Sequence, residues 1–158
     1  MEVHLIRPYR ESDLEAVVRL FTDAVHHLAD KHYDKDQLAA WAPQLPDLKQ
    51  WAARLAAAET WVAESEGKLA GFITYEANGH IDLLFTSPAY CRRGFASTLL
   101  RHAETALAAR GISALVTEAS LAARPFFERF GFEVTEEQHV QRGGVGFRRY
   151  AMRKSLVS

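Results

Sequence analysis

The chain has 158 residues, of which 48% are hydrophobic and 25% are charged, and its formal net charge is -1. This length and composition fit one globular domain that buries a sizeable core without disulfide staples. The balanced charge excludes the broad basic surface of a nucleic-acid-binding protein. The single cysteine, Cys91, excludes an internal disulfide framework and fits a reducing compartment.

The sequence also bears on location. No apolar run approaches the ~20 residues that cross a bilayer. The first residues, Met1–His4, lack the charged and apolar segments of a secretion signal. We therefore expect a cytoplasmic protein that binds neither membranes nor nucleic acid. Whether it is a monomer or a homodimer stays open.

The predicted elements begin with a short strand over Val3–Arg7. Ser12 and Glu15 have the spacing of a capping box, which predicts that a helix begins there. Residues 30–59 are rich in Trp and Ala, and they predict two shorter helices that are interrupted by two prolines. The first part of the chain is therefore expected to be mainly helical.

The following segment alternates between apolar and polar residues, which predicts antiparallel strands with turns at Gly67 and Asn78–Gly79. A strand over 81–86 and a helix after Gly94 come next, and Gly111 ends that helix. The remaining predicted elements are a strand over 112–117, a helix over 122–130 and a hairpin with strands over 132–140 and 146–153. Strands interrupted by helices on both faces predict a three-layer α/β (α+β) domain.

The segment between the strand over 81–86 and the next helix carries the clearest functional signal. The strand stops at Pro88, and Arg92 and Arg93 precede Gly94 at the helix start. Such a turn presents N–H groups and partial positive charge, which favour a phosphate or pyrophosphate group. The chain has no G-x-x-x-x-G-K-[ST] motif, and no G-x-G-x-x-G follows a strand. The pattern therefore predicts a phosphate-bearing small molecule that is held without either common nucleotide loop.

A second string, A-R-P-F-F-E-R-F-G-F over 123–132, lies on the next predicted helix and strand. Together with C-R-R-G-F-A over 91–96, it resembles the GNAT superfamily of acyl-CoA-dependent N-acyltransferases. In that superfamily a [QR]-x-x-G-x-[GA] loop accompanies an A-x-x-F-[YF]-x-x-x-G-F element. The resemblance covers nearly the full chain and implies a single GNAT domain over 1–158. It implies helices on both faces of a mixed, mostly antiparallel sheet of about seven strands.

The resemblance also implies an activity. We expect an enzyme that moves an acetyl group from acetyl-CoA to a primary amine of a small molecule or a protein, by direct attack through a tetrahedral intermediate. The alternative is a non-catalytic acyl-CoA-binding sensor or interaction domain of the same fold. Two departures from the family pattern motivate that alternative. Cys91 stands where Gln or Arg is usual, and Phe127 stands where many members have a tyrosine that acts as general acid.

The resemblance further implies where acetyl-CoA, the co-substrate, would lie. Backbone groups of Leu84, Phe85 and Thr86 would pair with the pantetheine arm. Backbone N–H groups at the helix start would hold the pyrophosphate, and these belong to Arg92, Arg93, Gly94, Phe95, Ala96 and Ser97. Ser120 is expected either to contact the cofactor or to cap the following helix. Phe126 is expected either to line the cofactor cleft or to join the core.

A base is needed because an alkylammonium acceptor has a pKa of ~10.4 and must lose a proton before it attacks. His80 and Asp82 alternate on the predicted strand and therefore point to the same face. The unperturbed pKa of His80, ~6.5, suits a base near neutrality. A mid-strand aspartate is hard to explain structurally. We predict that Asp82 or His80 is the catalytic residue.

The acceptor pocket is expected within residues 22–60, again by resemblance. Tyr33 and Trp41 would stack on the substrate there, or would belong to the core. The adjacent His26 and His27 face different sides of a helix, so no metal site is predicted. The identity of the acceptor does not follow from these residues.

Overall fold

The computed structural model describes residues 3–28 and 31–156. Its strands are β1 (Leu5–Pro8), β2 (Glu59–Ser65), β3 (Lys68–Tyr75), β4 (His80–Thr86), β5 (Ala114–Ala119), β6 (Glu133–Arg142) and β7 (Val145–Ser155). Its α-helices are α1 (Leu14–Leu28), α2 (Lys35–Trp41), α3 (Leu48–Ala57), α4 (Phe95–Ala109) and α5 (Arg124–Arg129). Within the described residues, no helix combines the length and the apolar character that a bilayer crossing requires.

The strands form one sheet in the order β1-β2-β3-β4-β5-β7-β6. Neighbouring strands are antiparallel except for β4 and β5, which are parallel. A parallel connection needs a crossover, and here it contains α4. The expected mixed, mostly antiparallel sheet of seven strands is confirmed.

Each face of the sheet has its own hydrophobic core. On one face, α4 buries a stripe that includes Leu99, Leu100 and Leu107. On the other face, α1 and α3 contribute Val17 and Leu55 to a second core. Full burial of one such side chain stabilises the fold by about 1.5–3 kcal/mol. The three-layer arrangement predicted from the order of elements is therefore present, with helices on both faces.

The start of α1 differs from the sequence prediction. Ser12 lies inside a short 3-10 turn, Glu11–Asp13, and does not cap the helix. The carboxylate of Asp13 instead accepts the Arg10 N–H at 2.8 Å and both terminal nitrogens of Arg7 at 2.8 and 2.9 Å. The bond to Arg7 is the main cause that lowers the pKa of Asp13. A paired carboxylate with little solvent exposure fixes this turn more firmly than an exposed hydroxyl.

Strand β5 begins two residues later than the predicted strand over 112–117. Gly111 has a φ of 84°, and the Ile112 N–H bonds the Leu107 carbonyl at 3.1 Å. Such a hydrogen bond is typical of an α-helix that ends at a residue in the left-handed conformation. It occupies the N–H group of Ile112, so β5 begins only after this residue.

Candidate active site

Strands β4 and β5 are paired over only two residue pairs, His80 with Val116 and Ile81 with Thr117. The Thr117 hydroxyl donates to the Ile81 carbonyl at 2.9 Å and closes this paired segment. Beyond it the strands separate around a cleft of about 470 Å³. A separation of this kind exposes the backbone groups of a strand, and an extended ligand can form hydrogen bonds with them as an additional strand would.

Asp82 is an extra residue in β4. On β3, Tyr75 pairs with Ile81. The preceding Thr74 pairs with Leu83, which leaves Asp82 in a β-bulge. The bulge reverses the faces of the strand, because Ile81 packs into the α4 core whereas Leu83 packs into the opposite core. Asp82 is thereby directed towards α3 and the cleft.

Helix α4 begins at Phe95, directly after a turn with two positive φ angles, 61° at Arg92 and 84° at Gly94. The N–H groups in the first turn of a helix have no acceptor within the helix. The guanidinium of Arg93 lies 5.4 Å from the centre of the Tyr90 ring. This turn therefore combines N–H donors with positive charge, the arrangement that binds phosphate oxygens.

Asp82 is held by Arg54 of α3. The Nε and Nη2 atoms of Arg54 donate to the two carboxylate oxygens, each at 2.8 Å. This two-point geometry fixes the carboxylate more strongly than a single bond does. The side chain of Asp82 is 23% exposed, and both residues line the cleft.

His80, the first residue of β4, forms side-chain contacts with two carboxylates near the place where β4 and β5 separate. Its Nε2 lies 2.8 Å from Glu118 Oε1 on β5, and its Nδ1 lies 2.7 Å from Glu76 Oε1. The bond to Glu118 contributes most, and together with Glu76 it outweighs desolvation and raises the pKa of His80 to about 9. The same contact lowers the pKa of Glu118. At neutral pH His80 is an imidazolium that donates to both carboxylates.

A family model of the acetyltransferase (GNAT) domain matches residues 29–155. The chain is 38% identical to the uncharacterized N-acetyltransferase YafP of Escherichia coli K12 over 148 residues, which are 94% of this chain and 93% of YafP. The chain belongs to the GNAT family of acetyltransferases. The family expected from the two sequence strings is confirmed, and this GNAT protein is an N-acetyltransferase.

Solved structures agree with the family assignment. A GCN5-related N-acetyltransferase from Rhodopseudomonas palustris superimposes with a TM-score of 0.95 and 31% identity, covering 99% of this chain and 98% of that chain. The PaiA N-acetyltransferase of Thermoplasma acidophilum, solved in complex with coenzyme A, has a TM-score of 0.76 and 19% identity, covering 97% and 99%. The expected GNAT fold is thus confirmed.

The GNAT residues predicted to bind the cofactor lie in two places. Leu84 and Phe85 line the cleft, and Thr86 ends the same strand. The second group lies in the loop before α4 and in the first turn of that helix, and its residues are Arg92, Arg93, Gly94, Phe95, Ala96 and Ser97. The Phe95 side chain is 1% exposed and belongs to the α4 core, so only its backbone N–H is available to a ligand. Their contacts with the cofactor stay predictions.

Ser120 lines the cleft, and its contact with the cofactor stays a prediction. It does not cap α5, because the residue at that cap is Ala123; the Ser120 Oγ instead accepts the Ala123 N–H at 3.1 Å in the preceding turn. Of the two adjacent phenylalanines, Phe127 lines the cleft. Phe126 packs against the α4 core, the second of its two expected places, and its ring centre lies 5.3 Å from that of Phe127 and 4.8 Å from that of Phe130. A contact of Phe126 with the cofactor stays a prediction.

Of the two aromatic residues expected to contact the acceptor, Trp41 lines the cleft and Tyr33 does not. Tyr33 is only 7% exposed, and its hydroxyl accepts the Leu121 N–H at 2.9 Å. Its ring lies 5.4 Å from that of Trp41 and 5.8 Å from that of Phe147. Tyr33 therefore lies in the core, the second of its two expected places, and packs against Trp41.

Four charged residues of the cleft were not predicted from the sequence, namely Asp47, Arg54, Glu118 and Arg142. Arg54 follows Gln50 and Trp51 at helical spacing, so these three share one face of α3. Glu118 alternates with buried residues on β5. The sequence shows both patterns, but neither pattern indicates that the side chain pairs with a charged residue of another helix or strand.

The assumption of an ordinary His80 pKa is wrong, since two carboxylates surround the ring, and the raised value has a measurable consequence. A histidine whose pKa is higher in the folded than in the unfolded state stabilises the fold fully below its unfolded pKa, about 6.5. That contribution is lost as the pH rises through about 9. We expect the melting temperature of the parent protein to exceed that of His80→Gln near neutrality, and the difference to shrink above about pH 9. Thermal unfolding across this pH range measures it.

The matched control is His27→Gln, since His27 is exposed on α1. Its melting temperature is expected to follow that of the parent across the whole range. A difference between the parent and His80→Gln that stays constant through pH 9 would show that the imidazolium bonds do not contribute.

Proposed function

We propose that this GNAT enzyme transfers the acetyl group of acetyl-CoA to the primary amine of a small molecule or a protein, by direct attack of the amine. The observation that carries the proposal is the cleft that opens where β4 and β5 separate, with Asp82 in its wall. Support for the donor comes from the PaiA neighbour, which was solved with coenzyme A.

The residues present fit acetyl-CoA at both of its ends. The first turn of α4 and the adjacent Arg92 and Arg93 offer donors and positive charge for a pyrophosphate. The separated edge of β4, where Leu84 and Phe85 line the cleft, offers the backbone groups that point away from β3 for the amides of a pantetheine arm. When bound, acetyl-CoA supplies a thioester carbonyl that the amine attacks.

Asp82 is the residue that we assign to proton removal. Its carboxylate faces the cleft, and Arg54 fixes its orientation. It accepts the proton of the acceptor ammonium, directly or through one water. With acetyl-CoA bound, the amine nitrogen would then bond to the acetyl carbon, the carbon–sulfur bond would break, and the sulfur would leave as a thiolate. The nitrogen would lose its second proton to solvent, which gives the neutral amide. A backbone N–H near Leu84 is assigned to the carbonyl oxygen, where negative charge develops.

The other two candidate residues have different roles in this proposal. His80 is protonated at neutral pH and cannot take a proton there, so it acts as a positioning residue that holds Glu118 and the origin of the cleft. Phe127 lines the cleft and has no proton to give. The thiolate therefore leaves without an acid at that position and takes its proton from solvent.

The test is release of CoA thiol from acetyl-CoA on addition of amines from several classes, with mass spectrometry of the acetylated product. We expect amine-dependent thiol release and a product that is one acetyl group heavier than the amine. Controls without amine give the rate of thioester hydrolysis. Binding of acetyl-CoA with no acetylated product from any class of amine would favour the non-catalytic alternative.

A further inference from the structure

Arg142 lies at the end of β6, opposite Val145 in the hairpin with β7. Two residues earlier, Val140 packs against the core beneath α1 and α3, and side chains two apart on a strand share a face. The hairpin is held to α2 by a bond from Gln37 Nε2 to the Gly146 carbonyl, 3.0 Å long. This packing places Arg142 in the wall of the cleft that contains Asp82.

The other charged residues of the cleft wall have partners. Asp82 is paired with Arg54. Glu118 is paired with protonated His80. Asp47 caps α3 by accepting the Gln50 N–H at 3.1 Å. Apart from Arg142, the charged groups of the wall are thus two ion-paired carboxylates, the guanidinium of Arg54, and the carboxylate of Asp47, which is held by a backbone N–H.

Arg142 itself makes no hydrogen bond or ion pair with any residue within 3–28 and 31–156. Desolvation and the positive charges of Arg149 and Arg54 lower its pKa, and Asp82 opposes this effect. The cleft therefore presents a guanidinium that has no hydrogen-bonded partner among the described residues. The N-terminus of α4, the place assigned to the pyrophosphate, is not part of this region of the wall.

We propose that the acceptor amine carries an oxyanion group, a carboxylate or a phosphate, and that Arg142 binds this group and so determines specificity. The proposal rests on the acetyl transfer proposed above. A guanidinium offers two parallel N–H donors that match the oxygens of either anion. An anionic group would also give the Arg142 guanidinium a charged hydrogen-bond partner, which the described residues do not provide. Arg54 differs from Arg142 because its charge is already paired with Asp82, to which its Nε and Nη2 atoms donate.

The test compares amines in matched pairs that differ by the anion: norleucine with n-pentylamine, γ-aminobutyrate with n-butylamine, and O-phosphoethanolamine with ethanolamine. We expect a higher kcat/KM for the anionic member of at least one pair, and the pair concerned distinguishes carboxylate from phosphate. In Arg142→Gln that value is expected to fall by about 10- to 100-fold, because a hydrogen bond to a charged group is lost. The neutral member of the pair is expected to keep its value within about twofold.

Arg153→Gln is the matched control, since Arg153 is an exposed arginine of the same hairpin. It is expected to leave both members of each pair unchanged, and Arg142→Lys is expected to restore part of the preference. Equal kcat/KM values within every pair, or an equal loss for both members in Arg142→Gln, would overturn the proposal.

A binding measurement separates this proposal from acetyl transfer itself. Calorimetry with CoA-saturated protein and the anionic amines needs no turnover. Binding that is weakened in Arg142→Gln, with no acetylated product from any amine, would support the oxyanion site and overturn the proposed reaction. Turnover of amines without any dependence on Arg142 would leave the reaction standing and overturn the oxyanion site.

Discussion

Asp82→Asn is expected to lower kcat by about 100-fold or more while the KM for acetyl-CoA stays near the parent value. The expectation follows from the size of general base catalysis, about 10²–10⁴-fold, and from the place of Asp82 in the cleft wall. Asparagine keeps the shape of the side chain but cannot accept the ammonium proton. Steady-state thiol release at saturating acetyl-CoA measures the effect.

The matched control is Asp23→Asn, because Asp23 is exposed on α1. This substitution removes the same negative charge at a place away from the cleft. It is expected to retain the parent kcat. A kcat within threefold of the parent in Asp82→Asn would rule out Asp82 as the base. An increase in the amine KM with an unchanged kcat would make Asp82 a residue that binds the acceptor only.

Gly79→Ala is expected to lower the free energy of unfolding by about 2–6 kcal/mol. Gly79 has a φ of +99°, which side chains rarely adopt, and an added Cβ would lie 2.4 Å from the Ala114 carbonyl oxygen. The Gly79 carbonyl accepts the Val116 N–H at 3.1 Å, at the start of the short parallel pairing. The added methyl group therefore forces β4 and β5 apart. Urea unfolding followed by circular dichroism measures the loss.

Gly67→Ala provides the comparison. Gly67 has a φ of +79°, and an added Cβ there has no atom within 4 Å. Only backbone strain remains, which is expected to cost about 1–3 kcal/mol. An equal loss in the two variants would mean that the close approach of the strands at Gly79 is relieved without cost.

The sequence predicted the order of elements and the fold because those depend on local patterns. The turn at Asn78–Gly79 and the helix after Gly94 follow from residue types that tolerate unusual backbone angles. The Ser12 cap was wrong because the sequence does not show that Asp13 is already bound by Arg7. Local patterns compete with tertiary contacts, and here the tertiary contact determined the turn.

The candidate site was less predictable because it is built from pairs that are distant in the chain. The contact between His80 and Glu118 joins residues 38 apart, and that between Arg54 and Asp82 joins residues 28 apart. Neither pairing leaves a periodic pattern in the sequence. The bulge at Asp82 could not be predicted either, because one extra residue in a strand does not change the residue types from which a strand is predicted.

If the donor binds where we propose, the short pairing of β4 with β5 links the stability of the protein to the supply of that donor. The sheet lacks backbone partners along part of its centre, so a ligand whose amides pair there completes the sheet. A ligand that binds only the folded state stabilises it by about 2.7 kcal/mol at a hundred times its Kd. When the donor becomes scarce, this GNAT enzyme would lose activity and also resistance to unfolding and proteolysis, so its abundance in the cell would follow the concentration of the molecule it consumes.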